Sequence, residues 1–433
     1  MRWLILALFA ILPLQWFSVA STPFGTGRPH QLAIFLVAAF LFSRYRLSAH
    51  TPTLRAAGLF LLLNIYLMAA WAAVDLYNGS KPMGAVQASM YLAAFLAIAT
   101  FFQRVANGKD PRTLEALKWA AAVTCVSVLL GFSVAMTVNG INPASVFARA
   151  VASADPELLQ REVFRSSFAG FGLDEEMARG NLRHEIFGCV LFSMMVSTWA
   201  MRFAGSATTL QQVGYRTAMV TGTILLAISL SRSILIAAAI WPLILLLKAI
   251  TSGRLSSRHV TGAAVALVGF AVLVLSGFGD VLWNRFTADT TGYQARASNY
   301  SGAFEALGDY WVTGGFRTSG IGVSTHNFVL DSWLRGGIFT AVPAAAILLL
   351  LLVLWLRLLG TLHRQPDWMV PVAAALVLPL VRLGTSGGGH VPPVEWVVLA
   401  FVFGVLAFRP QPVTARTDPA HQRADHLAQH TPA

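Results

Sequence analysis

The hydrophobic pattern of the chain consists of long apolar runs separated by short polar connections. Most runs approach the ~20 residues that an α-helix needs to cross a hydrocarbon core of about 30 Å. The pattern predicts an all-α polytopic membrane protein with about 12 transmembrane helices. The predicted spans are 3–17, 30–43, 56–75, 83–103, 116–138, 184–203, 216–230, 232–249, 260–279, 337–357, 368–384 and 393–408.

Two connections are much longer than the others, and they divide the chain into segments. Loops longer than about 15 residues are usually functional or disordered. The second long loop is rich in Trp, Tyr and Phe, so we expect it to fold into short helices on the membrane surface. The predicted segments are helices 1–5 (1–138), the first long loop (139–183), helices 6–9 (184–279), the second long loop with the candidate site (280–336), helices 10–12 (337–408) and a disordered cytoplasmic tail (409–433).

Composition supports a membrane protein, and the distribution of charge among the loops predicts its orientation. The chain is 56% hydrophobic and only 12% charged, whereas soluble domains are about 25% charged. When loops are assigned alternately to two sides, the excess of 12 positive charges lies on one side, as the positive-inside rule requires of cytoplasmic loops. Both termini are then cytoplasmic and both long loops extracytoplasmic. The basic residues therefore indicate topology and lipid contacts, and we expect no nucleic-acid partner.

The chain ends and the cysteines add little chemistry. The N-terminal run is compatible with a cleaved signal peptide, but we favour an uncleaved first helix because many spans follow it. Cys125 and Cys189 lie inside apolar runs and are expected to be small buried side chains, without a disulfide or a metal between them. No metal-binding motif is visible, and we expect no cofactor.

Three features of the predicted outer surface could carry chemistry. Arg232 lies between two apolar runs, where a charge is either functional or an interfacial arginine that reaches lipid phosphate. Arg296 lies in the second long loop and could equally be a solvated surface residue. His326 could take a proton from a hydroxyl, although the segment His326-Asn327 could also serve only to cap a helix.

The order of these features resembles a known family. Ser231-Arg232-Ser233 begins a helix, Arg296 follows in a large loop, and His326-Asn327-x-x-Leu330 precedes Gly337. This arrangement is similar to the O-antigen ligase and polymerase family of multi-helix GT-C type glycosyltransferases. The motifs cover about residues 216–360. The chain departs from the family pattern in lacking a proline upstream of Gly314 and in having Thr340 where a second glycine is common.

The resemblance implies a bacterial inner-membrane enzyme with its active site facing the periplasm. Its implied donor is an undecaprenyl-diphosphate-linked glycan, and its implied acceptor is lipid A–core or a lipid-linked repeat unit of O-antigen or exopolysaccharide. Arg232 and Arg296 would bind the diphosphate without a metal, and His326 would be the general base of an inverting transfer. The further residues that we expect to contact substrate are Asn327, Arg335, Arg183 and Arg317.

Several alternatives stay open at this stage. Nothing in the sequence separates a ligase of lipopolysaccharide biosynthesis from a polymerase, or identifies the sugar, the linkage or the oligomeric state. A transporter or flippase for a lipid-linked sugar is the alternative function, since twelve helices are common in carriers. Carriers place ionisable or helix-breaking residues near the membrane midplane, and few charges fall there in this sequence. A non-catalytic scaffold for envelope assembly is a third candidate function.

Overall fold

The structure is a computed structural model, and it describes most of the predicted helices. The described residues are 1–15, 20–22, 25–27, 29–44, 52–79, 82–138, 140–153, 175–229, 231–253, 291–314, 325, 327–385 and 391–407. Predicted span 260–279 and the tail 409–433 lie outside them.

The described chain is almost entirely helical, with one short antiparallel hairpin. The hairpin pairs β1 (Ala20–Thr22) with β2 (Gly25–Gly27). The helices are α1 (Arg2–Ile11), α2 (Pro29–Arg44), α3 (Pro52–Tyr77), α4 (Met83–Ala106), α5 (Pro111–Leu117), α6 (Ala120–Val138), α7 (Pro143–Ser153), α8 (Glu175–Ala204), α9 (Thr209–Ser229), α10 (Arg232–Thr251), α11 (Thr291–Tyr310), α12 (Phe328–Gly336), α13 (Ile338–Thr361), α14 (Met369–Ala375), α15 (Val377–Thr385) and α16 (Pro393–Leu406), with a 3₁₀ turn at Leu362–Arg364.

Six of the described helices are long and apolar enough to cross a membrane, so the predicted multi-pass character is supported. These spans are Ala57–Tyr77, Ala88–Ala106, Ala120–Thr137, Glu185–Ala204, Arg232–Thr251 and Ile338–Arg364. Four shorter apolar helices are Arg2–Ile11, Pro29–Leu41, Met369–Thr385 and Pro393–Leu406. The count of twelve and the placement of the loop helices on a membrane surface stay predictions.

Three predicted spans end early or are interrupted, for identifiable reasons. Span 3–17 ends early, at Ile11, because Pro13 has no N–H to donate to the carbonyl of Phe9. The Thr124 hydroxyl donates to that carbonyl instead, at 3.0 Å. Span 116–138 begins with the separate helix α5, which Asp110 caps by accepting from the Thr113 N–H at 3.1 Å. Span 368–384 is interrupted between α14 and α15, three residues before Pro379.

The centre of the bundle is formed by two helices that are buried on all sides. Every residue of α8 from 186 to 200 and every residue of α16 from 394 to 405 is buried. Such all-round burial is expected of helices that are apolar on every face. Phe401 of α16 packs against Phe102 of α4 and Trp199 of α8, with ring centroids 5.0 and 5.5 Å apart. Cys125 and Cys189 are buried, as predicted.

Polar contacts join one set of helix ends into a surface that we call the basic face, defined by Arg104, Lys118, Arg202 and Lys248. Lys118 Nζ donates to the Ser206 carbonyl at 2.7 Å, and so joins the turn after α5 to the turn after α8. Lys248 Nζ pairs with Asp367 Oδ1 at 2.8 Å, and so joins the end of α10 to the turn before α14.

The opposite ends of the same helices form a second surface, the motif face, defined by Arg232, Asn327 and Arg335. Because α10 ends at the basic face, its first residue, Arg232, lies at the other end of the bundle. Asn327 and Arg335 lie at the two ends of α12, which packs against α3, α13 and α15. The positive-inside rule predicts that the basic face is cytoplasmic and the motif face extracytoplasmic.

Candidate functional site

Arg232 is the first residue of α10, and its position is not explained by helix stability. The N-cap residue Ser231 has extended backbone angles and makes no capping bond from its side chain. A cation in the first turn opposes the helix dipole, which typically costs about 0.3–1 kcal/mol. The same helix end favours anions, because its free N–H groups carry partial positive charge. A guanidinium beside a helix N-terminus is therefore a suitable place for phosphate.

Asn327 is the N-cap of α12, and its whole side chain contributes to holding that helix start in place. Its Oδ1 accepts hydrogen bonds from the N–H groups of Val329 and Leu330, both at 3.0 Å. Its Nδ2 donates to the carbonyl of Gly384, at the end of α15, at 3.0 Å. The capping role that the sequence allowed is thus present. No other described residue accepts a hydrogen bond from this amide, so the predicted substrate contact is compatible with the cap.

Thr325 anchors the chain on the other side of His326. The backbone N–H and the hydroxyl of Thr325 both donate to Asp331 Oδ1, at 2.7 and 2.6 Å. Thr325 is 1% exposed. His326 itself lies outside the described residues, but both of its neighbours are fixed to α12 through side-chain hydrogen bonds. The two residues that flank position 326 are therefore both held at the motif face.

Arg335 fastens the other end of α12 to α3. Its Nη2 donates to Asp75 Oδ2 at 2.5 Å, and its guanidinium lies over the ring of Trp71, 5.1 Å from the centroid. Asp75 is 4% exposed, so the ion pair is largely removed from water. The Nε–H of Arg335 has no hydrogen-bond partner among the described residues. Arg335 was predicted to contact substrate; the structure gives it an anchoring contact, and the substrate role stays a prediction.

Gly337 allows the end of α12 to lie directly against the turn that follows α11. Its φ is +66°, a conformation that side chains disfavour, and a Cβ there would overlap the carbonyl of Val312. The Trp333 indole N–H donates to the Trp311 carbonyl at 2.8 Å. Thr340 donates its hydroxyl to the Ser332 carbonyl. This contact reinforces the turn between α12 and α13.

Arg296 lies in α11, which packs against α12. Ala303 and Leu307 of α11 pack against Leu330 and Leu334 of α12. Position 296 precedes Ala303 by seven residues, close to two helical turns, and so lies on the same face of α11. The side chain of Arg296 is outside the described part of the structure, as is that of Arg183 in α8. Arg317 lies outside the described residues.

A buried charge cluster lies beside the helix that holds Asn327, and we call Glu185, Arg382 and Glu395 the buried triad. Arg382 Nη2 donates to Glu185 Oε1 at 3.0 Å, and Arg382 Nε lies 3.6 Å from Glu395 Oε1. Arg382 and Glu395 are each 5% exposed. Arg382 Nη1 and Glu395 Oε2 have no hydrogen-bond partner in the described structure, which an ordered water could supply.

The packing of α15 brings these elements together. This helix contacts both α10, which begins at Arg232, and α12, which begins after Asn327. Gly188 shows that α8 also lies against the start of α10, since a Cβ placed on Gly188 would lie 3.7 Å from Ile234 Cδ1. Ile234 follows Arg232 by two residues, and Gly188 follows Glu185 by three. Arg232, the buried triad and the start of α12 therefore belong to one region of the motif face.

Sequence reasoning missed the partners of these arginines. Asp75, Glu185 and Glu395 each lie near the end of an apolar run, where a carboxylate is costly unless it is paired. That signal could have singled them out as members of buried ion pairs. It could not have identified which arginine each one binds.

Comparison with known proteins identifies no family for this chain. No protein-family model matches the chain, and no curated protein matches its sequence. The functional assignment therefore depends on the residues of this chain and on the motifs that they form.

Proposed function

We propose that the chain is a glycosyltransferase that moves a glycan from a polyprenyl diphosphate carrier to an acceptor at the extracytoplasmic surface. The proposal rests on the resemblance of Arg232, Arg296 and the His326 segment to the O-antigen ligase and polymerase family. The observation that carries it best is the start of α12, where Thr325 and Asn327 are fixed by hydrogen bonds on either side of His326. Such support is what a general base needs in order to meet a substrate hydroxyl.

The arginines are suited to the carrier diphosphate. Guanidinium stays charged and can bind two phosphate oxygens at once. We assign this role to Arg232 and Arg296, with Arg183 and Arg317 as further candidates. Positive charge there would also stabilise the diphosphate as it leaves, so the reaction needs no divalent metal. The N-terminal end of α10 adds its own attraction for the anion.

The proposed reaction is a single displacement at the anomeric carbon of the donor glycan. An acceptor hydroxyl oxygen forms the new bond to that carbon while the bond to the diphosphate oxygen breaks. The hydroxyl proton passes to His326, and the carrier diphosphate leaves with both bonding electrons. The anomeric configuration inverts. A ligase and a polymerase would share this step and differ only in the acceptor, either lipid A–core or a lipid-linked repeat unit.

The buried triad favours one other candidate, a carrier for a lipid-linked sugar, because ionisable groups inside a helix bundle often mark transport paths. Its three members, however, lie in the first or last turns of their spans. Glu185 begins the span Glu185–Ala204, Glu395 is in the first turn of α16, and Arg382 is in the last turn of α15. Carriers bind substrate near the midplane, so transferase remains the preferred function.

The test compares two variants with controls on the basic face. Arg232→Ala and His326→Ala should each abolish surface polysaccharide attachment or extension while protein level and membrane insertion stay normal. The controls Arg112→Ala and His363→Ala change exposed residues of the basic face and should leave surface glycan unchanged. Normal glycan in both site variants would exclude the proposed roles. Analysis of the accumulated lipid-linked intermediates then separates ligase from polymerase.

A further inference from the structure

A cavity of about 300 Å³ opens on the basic face, far from the motif face. One wall is the turn between α8 and α9, formed by Gly205, Ser206 and Ala207. The other wall is the first two turns of α9, with Gln212, Tyr215 and Arg216. The cavity thus combines backbone amides, two polar side chains and one cation.

The walls of this cavity are held by hydrogen bonds that are independent of any ligand. Lys118 Nζ donates to the Ser206 carbonyl at 2.7 Å. Gln212 Nε2 donates to the Ala207 carbonyl at 3.4 Å, and the hydroxyls of Tyr215 and Thr198 lie 2.9 Å apart. The cavity is therefore preformed, and a ligand would not have to order it.

Arg216 supplies the positive charge of the cavity. No described carboxylate lies within salt-bridge distance of its guanidinium, since Glu115 is bonded to Lys118 and Gln211. The other described carboxylate of this region, Asp367, pairs with Lys248. Arg202, which follows the lining residue Met201, is a second cation, and among the described residues it donates only to the backbone carbonyl of Asp367, at 3.2 Å. The described neighbourhood of Arg216 is thus positive.

The side of α9 that follows Arg216 is apolar and exposed. Val220 is 62% exposed and Ile224 is 55% exposed, which is typical of a helix surface covered by acyl chains. Arg216 also marks the start of the apolar part of α9. A long cationic side chain at such a boundary extends towards lipid phosphates.

We propose that the cavity at Arg216 binds the phosphate group of an anionic phospholipid from the leaflet at the basic face. Basic pockets between transmembrane helices bind headgroups of this kind. Free phosphate has the same chemistry for the guanidinium, but it has no acyl chains to cover Val220 and Ile224. The inference is independent of the proposed enzymatic function, because it concerns the opposite end of the bundle.

The experiment is native mass spectrometry of the full-length purified protein in detergent, titrated with phosphatidylglycerol or phosphatidylcholine. The unaltered protein should bind phosphatidylglycerol more tightly. Arg216→Gln should lower that affinity about five-fold, the contribution of one basic residue near an anionic surface. Arg216→Lys, which keeps the charge, should retain the preference. Arg357→Gln removes an exposed arginine of the same face, outside the cavity, and should change nothing.

Three outcomes would overturn the proposal. One is equal binding of the two lipids by the unaltered protein, a result that does not depend on any variant folding. The second is an equal loss of affinity in Arg216→Gln and Arg357→Gln, which would show general attraction to the basic face. The third is complete displacement of phosphatidylglycerol by millimolar inorganic phosphate, which would identify a site for the soluble ion.

Discussion

Asp75 and Arg335 are expected to act as a clamp between α3 and the helix that follows His326, and removal of one partner tests this. Asp75→Ala leaves the guanidinium of Arg335 largely buried without its counter-charge. The Asp75 side chain is 5% exposed and the Arg335 side chain is 15% exposed. Breaking a buried pair in this way typically costs about 3–5 kcal/mol. Because Arg335 keeps some exposure and its contact with Trp71 at 5.1 Å, we expect about 3 kcal/mol.

The assay is a double-mutant cycle on the free energy of unfolding, measured in mixed micelles. Arg335→Met keeps the length of the side chain and removes its charge, and the double variant removes both charges. The double variant should be more stable than the sum of the single losses predicts, with a coupling energy of roughly 2–3 kcal/mol. Glu305→Gln, which changes an exposed carboxylate of α11, should stay within about 0.5 kcal/mol. Additive single losses would refute the clamp.

Three further predictions concern the same fold. Asn327→Ala should destabilise the protein by about 1–2 kcal/mol, the usual effect of losing an N-cap. Asn327→Asp, which keeps the cap but loses the hydrogen bond to the Gly384 carbonyl, should restore only part of it; chemical denaturation measures both. Gly337→Ala should lower the amount of folded protein in the membrane, because the new Cβ overlaps a backbone carbonyl at a φ of +66°, and normal levels would contradict that packing. Burial raises the pKa of Glu115, but hydrogen bonds from Lys118 and Gln211 and the Lys118 charge together lower it below its ordinary value. The ionised Glu115 therefore stabilises the fold at pH values above its pKa in the unfolded chain, and this stabilisation is lost as the pH falls through its lower pKa in the folded protein. Glu115→Gln should accordingly make the free energy of unfolding fall less steeply at acid pH.

The helices were largely predictable because apolar runs of membrane-spanning length have few alternative structures. The predicted span 232–249 corresponds to α10 at Arg232–Thr251, and span 337–357 corresponds to α13 at Ile338–Thr361. The early end of α1 was not predicted, although Pro13 was visible, because a short apolar sequence does not show whether a partner helix can satisfy the freed carbonyl. Thr124 provides that partner from a distant part of the chain.

The candidate site was predictable in its residues but not in its contacts. The cap at Asn327 was foreseeable, because Asn is a favoured N-cap and an apolar helix follows it. The pairing of Asp75 with Arg335 spans 260 positions in the sequence, so only the packing of α3 against α12 could reveal it. The same holds for the buried triad, whose members come from α8, α15 and α16.

The most direct test of the proposed function is the rate of carrier diphosphate release by the purified protein in lipid vesicles. The reaction mixture contains a polyprenyl-diphosphate-linked glycan, an acceptor and a chelator of divalent cations. The unaltered protein and His363→Ala should release the carrier at equal rates, whereas His326→Ala should be slower by about 10²-fold or more, the typical contribution of a general base. An unchanged rate in His326→Ala would contradict the account.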